Sequence, residues 1–157
     1  MEIEQKYLLK YLPENLKSFE CHEIEQGYLN KSIVVRIRRW DDRYILTYKK
    51  RKETKNLVNV NEEIEMPLDK TSYEHLKTKV DGYIIKKKRY IIPLENGLKA
   101  ELDIFEGNLD GFSLVEVEFP SEKNIFSFKP PEWFGENVSN QMNFTNSYLS
   151  MLKKKQK

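Results

Sequence analysis

The run Met1-Glu2-Ile3-Glu4-Gln5-Lys6-Tyr7-Leu8-Leu9 decides how this chain folds. Glu2, Glu4 and Lys6 are separated by single residues, Ile3 and Gln5. A side-chain period of two sends the three charged groups to one face of a strand, successive ones roughly 7 Å apart. The same spacing returns along the chain. Arg36 and Arg38 flank Ile37, Thr47 and Lys49 flank Tyr48, and Glu63 and Glu65 flank Ile64. Lys87 and Arg89 share a face, as do Glu101 and Asp103 around Leu102 and Glu116 and Glu118 around Val117. Alternation outweighs helical periodicity, which predicts a mainly β, antiparallel protein with a few helices.

Such a charge pattern needs a reason. An exposed sheet face gains from opposite charges across strands, and like charges directly opposite destabilise it. Two carboxylates about 5 Å apart repel by roughly 3 kcal/mol at an effective dielectric near 20. Divalent cations and interleaved lysines and arginines would offset that cost. The intervening Ile3, Ile37, Leu46, Ile64, Leu102 and Val117 are apolar, so the opposite face wants a cover, which helices can supply. A sheet with one apolar and one densely charged face can curl into a barrel with a polar, water-filled interior. Carboxylates there suit a hard cation, and guanidinium and ammonium groups suit phosphate oxygens. The expectation is a cage for an elongated polyanion bridged by metal. Lys86, Lys88 and Glu62 read as ordinary solvated positions.

Turn chemistry divides the strands. Asp41-Asp42 separates IVVRIRRW from RYILTYKK, and Asn96-Gly97 supplies the positive φ angles between YIIKKKRYIIP and KAELDIF. VNVNEEIEMPL is a strand ended by Pro67. DKTSYEHLKTKVDG changes period: Asp69 or Thr71 caps a helix with Tyr73, Leu76 and Val80 on one face. SEKNIF reads as a short helix capped by Ser121. A last helix starts near Ser139 and carries Phe144, Tyr148 and Leu152.

Composition narrows the class. At 157 residues, 39% hydrophobic and 12% aromatic, the chain fits a single domain, 1–157, with a real core. Its 27 basic and 25 acidic residues leave a net charge of +2, so bulk charge does not announce nucleic acid. The runs KKRKETK (49–55) and MLKKKQK (151–157) read as a solvated loop and tail, with about 152–157 disordered. One cysteine, Cys21, excludes a disulfide framework, and His22 and His75 have no companions at metal-ligand spacing. A metal would therefore be held by oxygen, as magnesium, manganese or calcium are. With no apolar signal core and no bilayer-length segment, a soluble cytoplasmic protein without a membrane partner is expected. Exposed strand edges permit a homodimer without requiring one.

The motifs, taken in order, resemble a known family. EIEQK fits the ExExK signature of the CYTH superfamily, the triphosphate tunnel metalloenzymes. QGYL, RIR, TYK, EIE, KKR, ELDIFEGNLDG, LVEVEF and PPEWFG follow in sequence over nearly the whole chain. The resemblance implies an eight-stranded antiparallel β-barrel forming a charged tunnel, closest to short bacterial inorganic tripolyphosphatases. It implies metal-dependent hydrolysis of a triphosphate by water attack on a terminal phosphoryl group, with one or two Mg2+ or Mn2+ ions. It assigns Glu2, Glu4, Glu63, Glu65, Glu101, Asp103, Glu116 and Glu118 to metal, and Lys6, Arg36, Arg38, Lys49, Lys87 and Arg89 to the phosphates. Glu4, Lys6, Glu116 and Glu118 are the implied catalytic groups. One segment departs from the pattern: MNFTN puts Asn143 and Phe144 where a basic residue and tyrosine are usual, with Asn146 retained. A class IV adenylate cyclase, another nucleotide or thiamine triphosphate enzyme, and a non-hydrolysing polyphosphate-binding module stay open as alternatives.

Overall fold

The expected alternation along the first residues is realised as strand β1 (Glu2–Leu9), the seam at which a barrel closes. The protein is described by a computed structural model covering residues 1–152. Seven further barrel strands follow: β2 (Glu20–Asn30), β3 (Val34–Trp40), β4 (Arg43–Lys55), β5 (Val58–Leu68), β6 (Asp81–Pro93), β7 (Lys99–Glu106) and β8 (Ser113–Glu118). Their order is β5-β4-β3-β2-β6-β7-β8-β1, every pairing is antiparallel, and β1 pairs back with β5 to complete the ring. A short ninth strand, β9 (Phe134–Asn137), was not expected. It pairs with the second half of β1, on the edge that β5 leaves free. Register shifts interrupt the β2–β3, β2–β6 and β4–β5 ladders. An extra residue on one side bends and twists a strand, which helps a sheet curl shut.

Turn signals operate where the sequence placed them. Asp41 has φ 55°, and Asn96 and Gly97 have φ 59° and 73°. Gly27 answers a different demand: a Cβ there would lie 2.7 Å from Val80 Cγ1, so only glycine lets that segment pack against β2.

Helix α1 (Lys70–Lys77) is capped by Asp69, whose side chain accepts from the Ser72 N–H. Its Tyr73 is buried, packs against Tyr44 with tilted rings 4.9 Å apart and donates to Glu25 at 2.8 Å. Helix α2 (Lys123–Ser127) has Glu122 at its N-cap without a side-chain bond, and Ser121 Oγ bonds the Asn124 side chain instead. The long last helix does not form. Met142–Phe144 is a 3-10 turn, and α3 spans only Asn146–Leu149, capped by Thr145. Asn and Ser side chains throughout 139–147 compete for backbone groups and favour turns over a helix interior.

Two apolar clusters result. Outside the barrel, Tyr7, Leu102, Val115, Val117 and Phe119 pack with Phe128, Trp133 and Phe134 from the proline-rich stretch. Tyr7–Phe134 and Phe119–Phe128 ring centroids lie 4.9 and 5.3 Å apart. Inside one end, Tyr28, Ile85, Phe105, Leu114, Val138 and Leu149 form a second cluster. The C-terminal segment thus stops that end with an apolar plug. The expected helical cover is incomplete, since Ile64 and Met66 on the outer face of β5 stay half exposed. Among the described residues no helix is long and apolar enough to cross a membrane. The tail expected to be disordered lies, from residue 153 onward, outside the described residues.

Candidate active site

Every barrel strand except β2 sends charge into one interior cavity of about 870 Å3. Glu2, Glu4 and Lys6 come from β1, Arg36 and Arg38 from β3, and Lys49 from β4. Glu63 and Glu65 come from β5, Arg89 from β6, Glu101 from β7, and Glu116 and Glu118 from β8. Of the residues expected in the site, only Lys87 and Asp103 do not line it.

Those two form a buried pair on the same lumen-facing side as Arg89 and Glu101, toward the plugged end, where Asn146 covers them. Asp103 is 1% exposed, and both its oxygens are taken: Oδ1 accepts from Arg89 Nε at 2.8 Å, and Oδ2 from Lys87 Nζ at 2.7 Å and Arg89 Nη2 at 2.9 Å. The expectation that Asp103 serves as a metal ligand meets a carboxylate engaged by three donors; it anchors cations instead. Lys87, expected to bind phosphate, is held by Asp103 and by Asn146 Oδ1 at 3.1 Å. Burial pushes its ammonium down to about 7 despite Asp103. Asp103 keeps its charge, because Arg89 and Lys87 outweigh the burial that opposes it.

The remaining charges are unevenly matched. Lys49 Nζ reaches Glu2 at 2.7 Å, Glu4 at 3.5 Å and Glu63 at 3.9 Å. Lys6 Nζ reaches Glu116 at 3.6 Å and donates to the Phe144 carbonyl at 3.2 Å. Arg89 donates to Glu101 at 2.8 Å. Arg36 and Arg38, by contrast, have no carboxylate partner among the described residues. Arg36 donates to Thr47 at 3.2 Å with its Nε unpaired, and Arg38 donates to Gln26 at 2.8 Å. Burial, then the nearby Arg36 and Arg89, pushes Arg38 down to about 9, still cationic at neutral pH.

The carboxylates show the complementary shortage. Burial raises Glu4 to about 7, with Glu116 and Glu2 adding to Lys49's failure to neutralise it, and its Oε2 has no partner. Glu63 is raised to about 7 by burial and Glu2. Glu118 stands at the solvent-open rim, where water moderates the burial and the Glu101 and Glu2 repulsion that lift it to about 8. Glu116 goes the other way: Lys6, Arg89 and Lys49 outweigh its burial and hold it well below the usual carboxylate range.

Among the described residues no three acidic, His or Cys side chains converge into a ready-made metal nest. The donor set nevertheless fits a hard divalent cation. The Glu4 oxygen is buried and unpaired, and three carboxyls are held near neutrality for want of positive charge.

Sequence reasoning missed several lining residues. Arg51, assigned to a solvated loop, faces inward on β4 and donates to Asn61 at 2.7 Å; both line the cavity. Arg43 and Asn61 continue the alternation through Lys49 and Glu63, so the same period marks them. Trp40 continues Arg36 and Arg38 in the same way. Asn146 bridges Gln26 and Lys87, each at 3.1 Å, and no local signal pointed to that contact.

No protein-family model matches the chain. The inorganic triphosphatase of Nitrosomonas europaea is 36% identical over 155 residues, which cover 96% of this chain and 97% of that protein. The inorganic triphosphatase of Acetivibrio thermocellus is 32% identical over 126 residues, 79% of this chain and 77% of that one. A crystal structure of an inorganic triphosphatase superposes with a TM-score of 0.69 at 34% identity, covering 97% of this chain and 95% of that chain.

Proposed function

Because the chain belongs to the inorganic triphosphatase family of the CYTH superfamily, we propose that it hydrolyses a triphosphate, inorganic tripolyphosphate above all, inside the barrel. The observation that carries this reading is the pair of buried guanidiniums, Arg36 and Arg38, with no carboxylate partner among the described residues, in the same cavity as carboxyls raised by burial. A cage of that kind matches its charges with a polyanion and a cation inside it.

Arg36, Arg38, Lys49 and Arg89 grip the non-bridging phosphate oxygens, and Arg51 and Lys6 extend the basic wall. Glu2, Glu4, Glu116 and Glu118 would hold Mg2+ or Mn2+, with Glu63, Glu65 and Glu101 lining the same cavity. Such an ion would supply charge neutralisation on phosphate and make water more acidic. Water adds to the terminal phosphorus, the bridging P–O bond breaks, and orthophosphate and pyrophosphate leave. Phosphoryl transfer asks mostly for positioning and electrostatic stabilisation, so no nucleophilic side chain is needed. The proton that water gives up leaves with the phosphate and pyrophosphate products, and the Glu4 and Glu118 carboxyls, raised by burial, would be drawn into their charged form by the cation they hold. Lys87 and Asp103 act from beneath the cavity floor, Asp103 fixing Arg89.

The test is phosphate release from tripolyphosphate, ATP, GTP and thiamine triphosphate, each with Mg2+, Mn2+ or Ca2+ and with chelator. The expected result is fastest release from tripolyphosphate and none with chelator. Release of cyclic AMP and pyrophosphate from ATP, or metal-dependent binding without turnover, would overturn the reading.

A further inference from the structure

One cluster beside the cavity has no part in the reaction described above. His22 on β2 is gripped from two sides: its Nδ1 lies 2.6 Å from Asp41 at the β3–β4 turn, and its Nε2 lies 2.7 Å from Glu20. An ionised carboxylate only accepts hydrogen bonds, so a ring with a carboxylate on each nitrogen donates from both and is an imidazolium. Asp41 is itself locked, since its backbone N–H donates to Glu23 O and its Oδ1 accepts from the Glu23 N–H, both at 2.9 Å. The His22 ring lies against Trp40, centroids 4.6 Å apart and planes 39° apart. Trp40 lines the cavity, and the Arg89 guanidinium carbon is 5.8 Å from its ring. A pinned cation, an aromatic ring and a site cation thus stand in one line of contact.

We propose that His22 is a positioning residue for triphosphate binding: clamped by Glu20 and Asp41, it fixes the Trp40 ring and, through it, the guanidinium of Arg89. The inference rests on the reading that Arg89 holds phosphate. An indole face attracts cations, and each of these two cations has its own carboxylates, Glu20 and Asp41 for His22 and Glu101 and Asp103 for Arg89. The ring therefore contacts two neutralised cations, His22 on the adjacent strand and Arg89 on the strand beyond it, without strong mutual repulsion. Arg89 keeps its two carboxylates if His22 is removed, so the effect falls on binding geometry and not on folding.

The charged groups facing His22 are Glu20 on its own strand, Asp41 on the turn, and Arg89 on β6, its cross-strand partner. Partial burial opposes the imidazolium, and the bonds to Asp41 and Glu20 more than compensate, raising its pKa. The contact therefore persists at neutral pH and is lost on the alkaline side of the usual histidine range.

The test compares wild type with His22→Gln, His22→Arg and Arg89→Gln, using tripolyphosphate hydrolysis across pH. It is paired with the emission of Trp40 in a Trp133→Phe background. His22→Gln should raise KM roughly fivefold, the size of one cation–π contact, with kcat unchanged. His22→Arg should restore KM and flatten the alkaline loss of affinity expected in wild type. Trp40 emission should rise as the quenching imidazolium deprotonates, and that titration should vanish in His22→Gln. An unchanged KM in His22→Gln, or an emission titration that survives it, overturns the proposal alone. An unchanged KM in Arg89→Gln overturns the phosphate role of Arg89 and the proposal with it.

Discussion

Replacing Glu4 by glutamine should make the metal-free protein more stable and the enzyme inactive. Glu4 is 3% exposed, and burial, with Glu116 and Glu2 nearby, raises its carboxyl from 4.5 to about 7. The folded state therefore binds this proton more tightly than the unfolded chain does. Folding bears no penalty from Glu4 below pH 4.5 and the whole penalty above pH 7. The span, 7 − 4.5 = 2.5 pH units at 1.36 kcal/mol each, is about 3 kcal/mol. The cavity beside Glu4 admits solvent, which screens part of that penalty, so the recoverable part is ~1–3 kcal/mol. For a chain of this size that is about 3–10 °C in melting temperature. Calorimetry with chelator should find Glu4→Gln more stable at pH 8, with a much smaller gain at pH 5. Adding Mg2+ or Mn2+ should then stabilise wild type and leave the variant nearly unmoved. A variant no more stable than wild type at pH 8, or one equally stabilised at both pH values, would refute the claim that an uncompensated buried charge sits there.

Two other substitutions separate the roles of the remaining charges. Arg38→Ala removes a buried guanidinium that has no counter-ion among the described residues, so KM for tripolyphosphate should rise about 10–100-fold, the worth of a charge-assisted contact. Unchanged steady-state constants would take it out of the site. Asp103→Asn strips the shared counter-charge from Lys87 and Arg89 and should cost ~3–5 kcal/mol of stability in urea unfolding. An unshifted midpoint would mean that Asp103 is not their anchor.

The candidate site was legible wherever alternation continued through a charged pair, and illegible wherever a residue's role depended on a distant neighbour. Glu2, Glu4 and Lys6 line the cavity as their spacing required. Arg51 was misread because it sits in a run of exposed-looking charges, although its register with Lys49 points inward. Asp103 has the same spacing as Glu101, yet ends up sealed because Lys87 and Arg89 arrive beside it from β6. The 139–152 segment carried a helical spacing of apolar residues, but its polar side chains break it into turns that plug the barrel.

By itself, then, the amino-acid order determined which side chains share a face, because a pleated strand alternates and a slip of one residue would turn every charge into the apolar layer. It also determined the antiparallel hairpins, through asparagine, aspartate and glycine at positions needing positive φ. Closure of β1 onto β5 and β8 decided which charges meet across the seam. That closure brings Lys49 to Glu2 and Glu4 and Lys6 to Glu116, while Arg36 and Arg38 meet no carboxylate among the described residues. Pairing across a closed barrel depends on stagger and on competition among charges far apart in the chain. No local pattern encodes either.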